Sequence, residues 1–251
     1  MDLRISGRRA AVAASSAGLG LASARALAAA GARVAICGRD RSRLEDAAAS
    51  IVASDGDAVP IVADVSTTTG AADFVASAAD ALGGIDILVP NGGGPPPGTF
   101  ASTDLAAYGP ALELNLLSTV AMCKATVPAM QAQGWGRVIA ITSISVRQPI
   151  GALILSNTAR AGVTGFLKTL ALEVAGDGVT VNTVQPGSHA TDRLTSMYGS
   201  DLSSVAEATP TRTVGRPEDF GAVVAFLCSD HARFVTGASL PVDGGAHRGL
   251  Q

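Results

Sequence analysis

Short apolar runs alternate with longer, alanine-rich amphipathic stretches along nearly the whole chain. The runs at 9–14, 33–37, 58–62, 86–90, 138–142, 180–184 and 240–242 read as strands. The stretches at 20–29, 41–54, 69–82, 105–133, 156–175 and 217–228 read as helices. Strands that are continuously apolar, rather than alternating apolar and polar, are covered on both faces, and separation by helices makes neighbours parallel. The expected fold is therefore α/β: a doubly wound parallel sheet of about seven strands, a Rossmann fold, with helices on both faces. No change in composition marks a second domain, so residues 1–251 are expected to form a single domain. At 251 residues such a domain buries roughly 70–75% of its unfolded surface. Aromatic residues are only 4% of the chain, and the small residues that replace them suit close helix-on-sheet packing.

Charge and cysteine content exclude several classes of function. A net charge of −3 gives no reason to expect nucleic acid or an anionic membrane as partner. No apolar run approaches the roughly 20 residues that span a bilayer, and the charged start, residues 1–9, lacks the apolar stretch of a signal peptide. Cys37, Cys123 and Cys228 are far apart and match no metal-ligand spacing, and no cluster of His, Cys or carboxylates suggests a metal. A reduced, cytoplasmic setting is the expectation.

The first strand runs into Ala14-Ser15-Ser16-Ala17-Gly18-Leu19-Gly20 and then a helix. Glycines at such a turn let the backbone approach a pyrophosphate, and the helix N-terminus supplies N–H groups and positive dipole. Further landmarks follow in order: Asp64-Val65 after the third strand, Pro90-Asn91-Gly92-Gly93 after the fourth, Asn115 within Glu113-Leu114-Asn115-Leu116, and Ser143 after the fifth. Pro186-Gly187 with Thr191, then Gly215-Arg216-Pro217-Glu218-Asp219 and Val242-Asp243-Gly244-Gly245, complete the set. Their order and spacing, from about Gly7 to Gly245, resemble the short-chain dehydrogenase/reductase (SDR) family. Two departures stand out. The family's Thr-Gly-x-x-x-Gly-x-Gly begins here with Ala13-Ala14, and its Tyr-x-x-x-Lys, thirteen residues after the Ser, reads Ser156-Asn157-Thr158-Ala159-Arg160.

The resemblance implies roles. Ser15, Ser16, Gly18, Leu19 and Gly20 line the pyrophosphate site; Asp64 and Val65 meet the adenine; Asn91, Gly93, Pro186, Gly187 and Thr191 hold the nicotinamide half. Ser143, Ser156, Arg160 and Asn115 occupy the catalytic positions, with Arg160 also placed to hold the ribose. The cofactor expected is NADP(H) rather than NAD(H). Gly38 stands where an NAD site places its acid, and Arg39 follows, with a guanidinium that pairs with a 2′-phosphate in bidentate fashion. Arg41 and Arg43 are nearby, and a solvated helix start is the alternative account of all three arginines.

The implied chemistry is hydride transfer between NADP(H) and a carbonyl or alcohol of a small, mostly apolar molecule. A serine hydroxyl is a far weaker acid than a phenol, and an arginine stays charged, so the usual proton relay is missing. His189, two residues after Gly187, titrates near neutrality and is one substitute, although a loop histidine is more often exposed and idle. Tyr198 is another; it and Tyr108 are the only tyrosines. Asp192, Arg193, Arg147 and Gln148 lie close by in sequence. Residues 187–213, just past a strand end, are expected to form a substrate flap, or else a plain surface insertion. The loop Gly92-Gly93-Gly94-Pro95-Pro96-Pro97-Gly98 reads as a shaped rim or a rigid connector. A non-redox isomerase or lyase on the same scaffold, or a cofactor-binding protein without catalysis, are the alternatives. Small and apolar residues on more than one face of the helices 105–133 and 156–175, together with the resemblance, imply a homodimer or homotetramer.

Overall fold

The computed structural model describes residues 1–249. All seven strands pair in parallel, in the order β3-β2-β1-β4-β5-β6-β7: β1 Arg9–Val12, β2 Arg33–Gly38, β3 Asp57–Val62, β4 Ile87–Val89, β5 Gly136–Ile141, β6 Val179–Pro186 and β7 Ser239–Val242. The chain winds outward from β1 to β3, then returns to β4 beside β1. That reversal opens a crevice at the C-terminal ends of β1 and β4, where doubly wound folds bind ligands.

Alternation along the buried strands sorts the core into two layers. Ala10 and Val12 of β1, with Val34, Ile36, Val89 and Ile139, face α1 (Gly18–Ala29), α2 (Arg41–Val52) and α9 (Pro217–Cys228) through Leu27, Leu44, Ile51 and Phe220. Ala11, Ala35, Leu88 and Val138 face α3 (Thr68–Leu82), α5 (Ser118–Gln133) and α6 (Ile154–Val174) through Phe74, Met122, Met130 and Leu167. Both faces of the sheet are thus apolar, which is why the strands read as unbroken apolar runs.

Three expectations need correction. The helix expected over 105–133 is not one α-helix. A 3₁₀ turn Leu105–Ala107 and a short α4 (Tyr108–Leu112) precede a π turn at Glu113–Leu117, and only then does α5 begin. The wider turn carries the buried Asn115, and π turns of this kind often mark functional sites. The first strand stops at Val12 rather than at 14, because Ala14 turns into the left-handed region at φ 45°. The segment 187–213 holds two short helices, α7 (Asp192–Tyr198) and α8 (Ser203–Ala208), which sequence periodicity did not show.

At the opposite end of the sheet from the crevice, Asp86 accepts hydrogen bonds from the Arg9 backbone N–H (2.9 Å), from Arg9 Nε (2.9 Å) and Nη2 (2.7 Å), and from Gln133 Nε2 (3.1 Å). Burial alone would raise the Asp86 carboxyl, but the Arg9 bonds outweigh it and hold the group below the usual carboxylate range.

Candidate active site

The turn between β1 and α1 is built without a side-chain cap. Ala17 makes no capping bond, so the first N–H groups of α1 stay available, and Gly18 adopts φ 57°. Ser15 is fully buried. Its hydroxyl donates to Val12 O (2.6 Å) and accepts from Cys37 N (3.0 Å), tying the turn to β2. Asn91 braces the same turn, its Nδ2 donating to Ala14 O (3.1 Å) and Ala13 O (3.3 Å). A side chain at Gly20 would meet Asn91 Nδ2 at 2.8 Å, so glycine is required there. The Cys37 thiol, beneath the turn, is pushed up to about 12 by burial and is chemically quiet.

A cleft of about 640 Å³ runs from this turn across the ends of β4, β5 and β6. It brings together Gly18, Leu19, Gly20, Asn91, Gly93, Ser143, Ser156, Arg160, Pro186, Gly187 and Thr191 from the expected site. Ser16 lines an adjoining recess of about 260 Å³ with Arg25 and Arg43. Arg39, Asp64, Val65 and Asn115 do not line the cleft. Arg39 is exposed at the end of β2, within electrostatic reach of Asp64. Asp64 is held below the usual carboxylate range mainly by hydrogen bonds from the side chain and backbone N–H of Ser66. Asn115 stands behind the cleft wall, its Nδ2 donating to Gly93 O (2.8 Å) and its buried Oδ1 without a partner among the described residues.

Ser143 lies just past the end of β5 and accepts a hydrogen bond from the Ser145 N–H (3.1 Å), so it does cap the short helical turn that follows. That bond uses a lone pair and leaves its proton free to donate. Ser156 is buried in the first turns of α6, and its hydroxyl has no partner among the described residues. Arg160 lies one turn further on and is half-buried. Its Nη1 donates to Ile141 O (3.1 Å) and Thr142 O (3.0 Å), and its Nη2 lies 3.5 Å from Gly92 O. Burial, and then the charge of Arg193, push it down to about 10, which leaves it cationic at neutral pH.

His189 is neither exposed nor idle in packing. It is 5% exposed, its ring meets Phe220 edge-on at 5.2 Å between centroids, and its Nδ1 lies 3.3 Å from Gly187 O. Burial lowers its proton affinity, so the ring is neutral at neutral pH. Tyr198, on α7, lines the cleft and is 56% exposed. The apolar wall formed by Ile144, Ile150, Leu153 and Met197 leaves no mark in the sequence, because the four come from separate turns and from α7. Thr191 caps α7 through a 3.4 Å bond to Leu194 N, and its methyl lies 3.7 Å from where a Gly18 side chain would begin. Asp192 pairs with Arg43, and Arg193 donates to Gly94 O (3.4 Å). Arg147 donates to Ser239 O (2.6 Å), and Gln148 accepts from Arg248 N (3.1 Å). Among the described residues there is no cluster of metal-ligating side chains.

The geometry fits a dinucleotide. An uncapped helix N-terminus meets a glycine turn, and the cleft leads from that turn to two serine hydroxyls and a fixed guanidinium. Residues 13–247 match the family described as enoyl-(acyl carrier protein) reductase. The rabbit (Oryctolagus cuniculus) dehydrogenase/reductase SDR family member 4 is 33% identical over 94% of this chain and 92% of its own. The 3-oxoacyl-(acyl-carrier-protein) reductase of Synechocystis is 34% identical over 91% and 92% of the two chains. Among solved structures, L-sorbose reductase from Gluconobacter frateurii, complexed with NADPH and L-sorbose, superposes with a TM-score of 0.93 at 34% identity over 100% of both chains.

Proposed function

From the premise that this chain belongs to the short-chain dehydrogenase/reductase family, we propose that it is an NADP(H)-dependent oxidoreductase acting on a carbonyl or alcohol of a small, mostly apolar molecule. The observation that carries this reading is the single cleft in which the glycine turn, Ser143, Ser156 and Arg160 meet. When bound, the cofactor supplies or accepts the hydride. The uncapped N-terminus of α1 receives its pyrophosphate, and Arg39 with Ser16 receives the 2′-phosphate. Asn91, Gly93, Pro186, Gly187 and Thr191 line the nicotinamide half, while Asp64 and Val65 stand toward the adenine.

Ser156 and Arg160 take the positions of the family's Tyr and Lys. Arg160 remains a cation and donor but does not relay a proton. Ser143 donates a hydrogen bond that polarises the substrate oxygen, and Asn115 fixes the backbone at Gly93 beside it. Ile144, Ile150, Leu153 and Met197 supply the apolar wall. Residues 187–213 act as the flap over this wall, with α7 carrying Tyr198 to the cleft. The chain assembles as a homodimer or homotetramer through the helical stretch 105–133 and α6, where Leu105, Leu117 and Leu172 stand exposed. No helix among the described residues is long and apolar enough to cross a membrane, and a cytoplasmic setting accords with the three unpaired cysteines.

The test is a fluorescence titration with NADPH and NADH, followed by a screen for carbonyl reduction. Tight NADPH binding with turnover supports the proposal. Binding without turnover on any carbonyl points to a non-redox or non-catalytic use of the scaffold, and no binding of either cofactor overturns it.

A further inference from the structure

Four charged residues line the cleft: Arg43, Arg160, Asp192 and Arg193. Asp192 is the sole acid among them, and it is tied to Arg43 by an ion pair. Arg160 and Arg193 therefore face the cleft with carbonyl oxygens as their only hydrogen-bond partners among the described residues. The two guanidiniums also sense each other: the charge of Arg193 adds to burial in lowering the proton affinity of Arg160. Two cations that face one cleft, whose one lining acid among the described residues is already paired with Arg43, form a site of positive potential that an anion relieves.

The position of Arg193 matters. It is the second residue of α7, and it reaches over the Gly92–Gly94 loop beyond β4. The glycine turn that would take a pyrophosphate is met instead by Thr191, at the cap of that helix. The Arg193 guanidinium packs so closely on Gly94 that a side chain at 94 would collide with it. Apolar residues Ile144, Ile150, Leu153 and Met197 line the same cleft. A cation beside an apolar wall recognises an amphiphile with one negative end.

We propose that the substrate of this site is a carboxylate with a small apolar body, held by Arg193 with Arg160 reinforcing the field. This rests on the oxidoreductase reading above and specifies its substrate class. A carboxylate accepts two parallel bonds from a guanidinium, which fixes orientation as well as affinity. The competing source of negative charge is the cofactor's own pyrophosphate, and the test separates the two.

The experiment measures calorimetric binding of 4-methylpentanoate and its neutral counterpart 4-methylpentanamide to protein saturated with NADP⁺. Neither probe can be reduced at a carbonyl, so affinity is read without turnover. The acid should bind about tenfold tighter than the amide or better, the order expected for one charge-assisted pair. Arg193→Gln should bring the acid down to the level of the amide, and Arg193→Lys should recover part of the difference, while affinity for NADPH stays within about twofold. Equal binding of acid and amide, or no binding of the acid, overturns the proposal. So does an acid preference that survives Arg193→Gln. If Arg193→Gln weakens NADPH or inorganic pyrophosphate by about tenfold or more and spares the acid, Arg193 serves the cofactor and the proposal fails. Failure of the unmodified protein to bind NADP⁺ at all is a different result, and it removes the oxidoreductase reading itself.

Discussion

Arg43 on α2 and Asp192 at the first residue of α7 form an ion pair between segments 149 residues apart. The pair sits beside the glycine turn and lines both the main cleft and the adjoining recess. It links the start of the helix after β2 to the segment after β6, so a cofactor lying along the crevice would pass beneath it.

Exposed pairs of this kind contribute little to stability, about 0.2–1 kcal/mol. Asp192→Asn should therefore leave the urea midpoint almost unchanged. Its effect should appear in kinetics: NADPH should dissociate faster, by about threefold or more, and the difference should shrink as salt screens the pair. Stopped-flow fluorescence of cofactor release checks this. Identical release rates at low salt would show that the pair does not retain the cofactor.

A second prediction concerns cofactor choice. A side chain at Gly38 would meet Ser16 Oγ at 2.8 Å, so an acid there would displace the very hydroxyl proposed to meet the 2′-phosphate. Arg39→Asp should weaken NADPH by about 2–3 kcal/mol and leave NADH much less affected. Calorimetry on both cofactors measures it. Equal affinity of the unmodified protein for the two would show that Arg39 does not discriminate.

The turn before α1 offers a stability test. Ala14 sits at φ 45°, a region that costs an L-residue about 1–2 kcal/mol, and the family pattern has glycine at this position. Glycine recovers most of that but adds freedom to the unfolded chain, about 0.5–1 kcal/mol. Ala14→Gly should stabilise the protein by about 0.5–1 kcal/mol in urea unfolding, with the slope unchanged. A destabilised variant would show that the left-handed conformation is not populated in solution.

Much of this was legible in the sequence. The strands were readable because both faces of the sheet are buried, which makes each strand a continuous apolar run. The sequence pattern marked Gly18, Ser143, Ser156 and Arg160, and the fold brings them to one cleft. Relationships across the fold left no local trace. No residue type announces the π turn at Glu113–Leu117, and nothing in sequence joins Arg43 to Asp192 or Arg193 to Gly94. Ser15 reads like Ser16 in sequence, yet one is buried under the turn and the other lines the recess. His189 looked like a surface residue because the Phe220 that buries it lies on α9, far along the chain.

Acid sensitivity should trace in part to Asp86. Its folded-state proton affinity lies below that of the unfolded chain, so its contribution is complete above the ordinary carboxylate value, near pH 4, and is lost as pH falls through the folded value. Asp86→Asn should cost about 2 kcal/mol at pH 7, because it strips Arg9 of its partner. The gap between the two proteins should close as pH drops below about 4. Urea unfolding at several pH values reads this directly, and a gap that is constant with pH would assign the loss to packing.

The proton source is the remaining question, and substitution at three positions resolves it. Ser156 has no partner among the described residues, His189 is buried and neutral, and Tyr198 is at the cleft mouth. A lost general acid is worth about 10²–10⁴-fold in rate, so the residue responsible stands out clearly. If Ser156 carries the step, Ser156→Ala abolishes turnover and spares cofactor binding. If Tyr198 or His189 does, Ser156→Ala is nearly silent, while Tyr198→Phe or His189→Ala is not. Restoring a phenol and an amine with Ser156→Tyr and Arg160→Lys should speed reduction of simple activated ketones, since the usual acid returns at the usual spacing. The carbonyl oxygens of Ile141 and Thr142 that now hold Arg160 would accept from the shorter lysine only if it reaches them, so single Arg160→Lys is the needed control. Strong ketone reduction by the unmodified protein that survives all three single substitutions would place the proton on none of these three groups and overturn the reading of the catalytic positions.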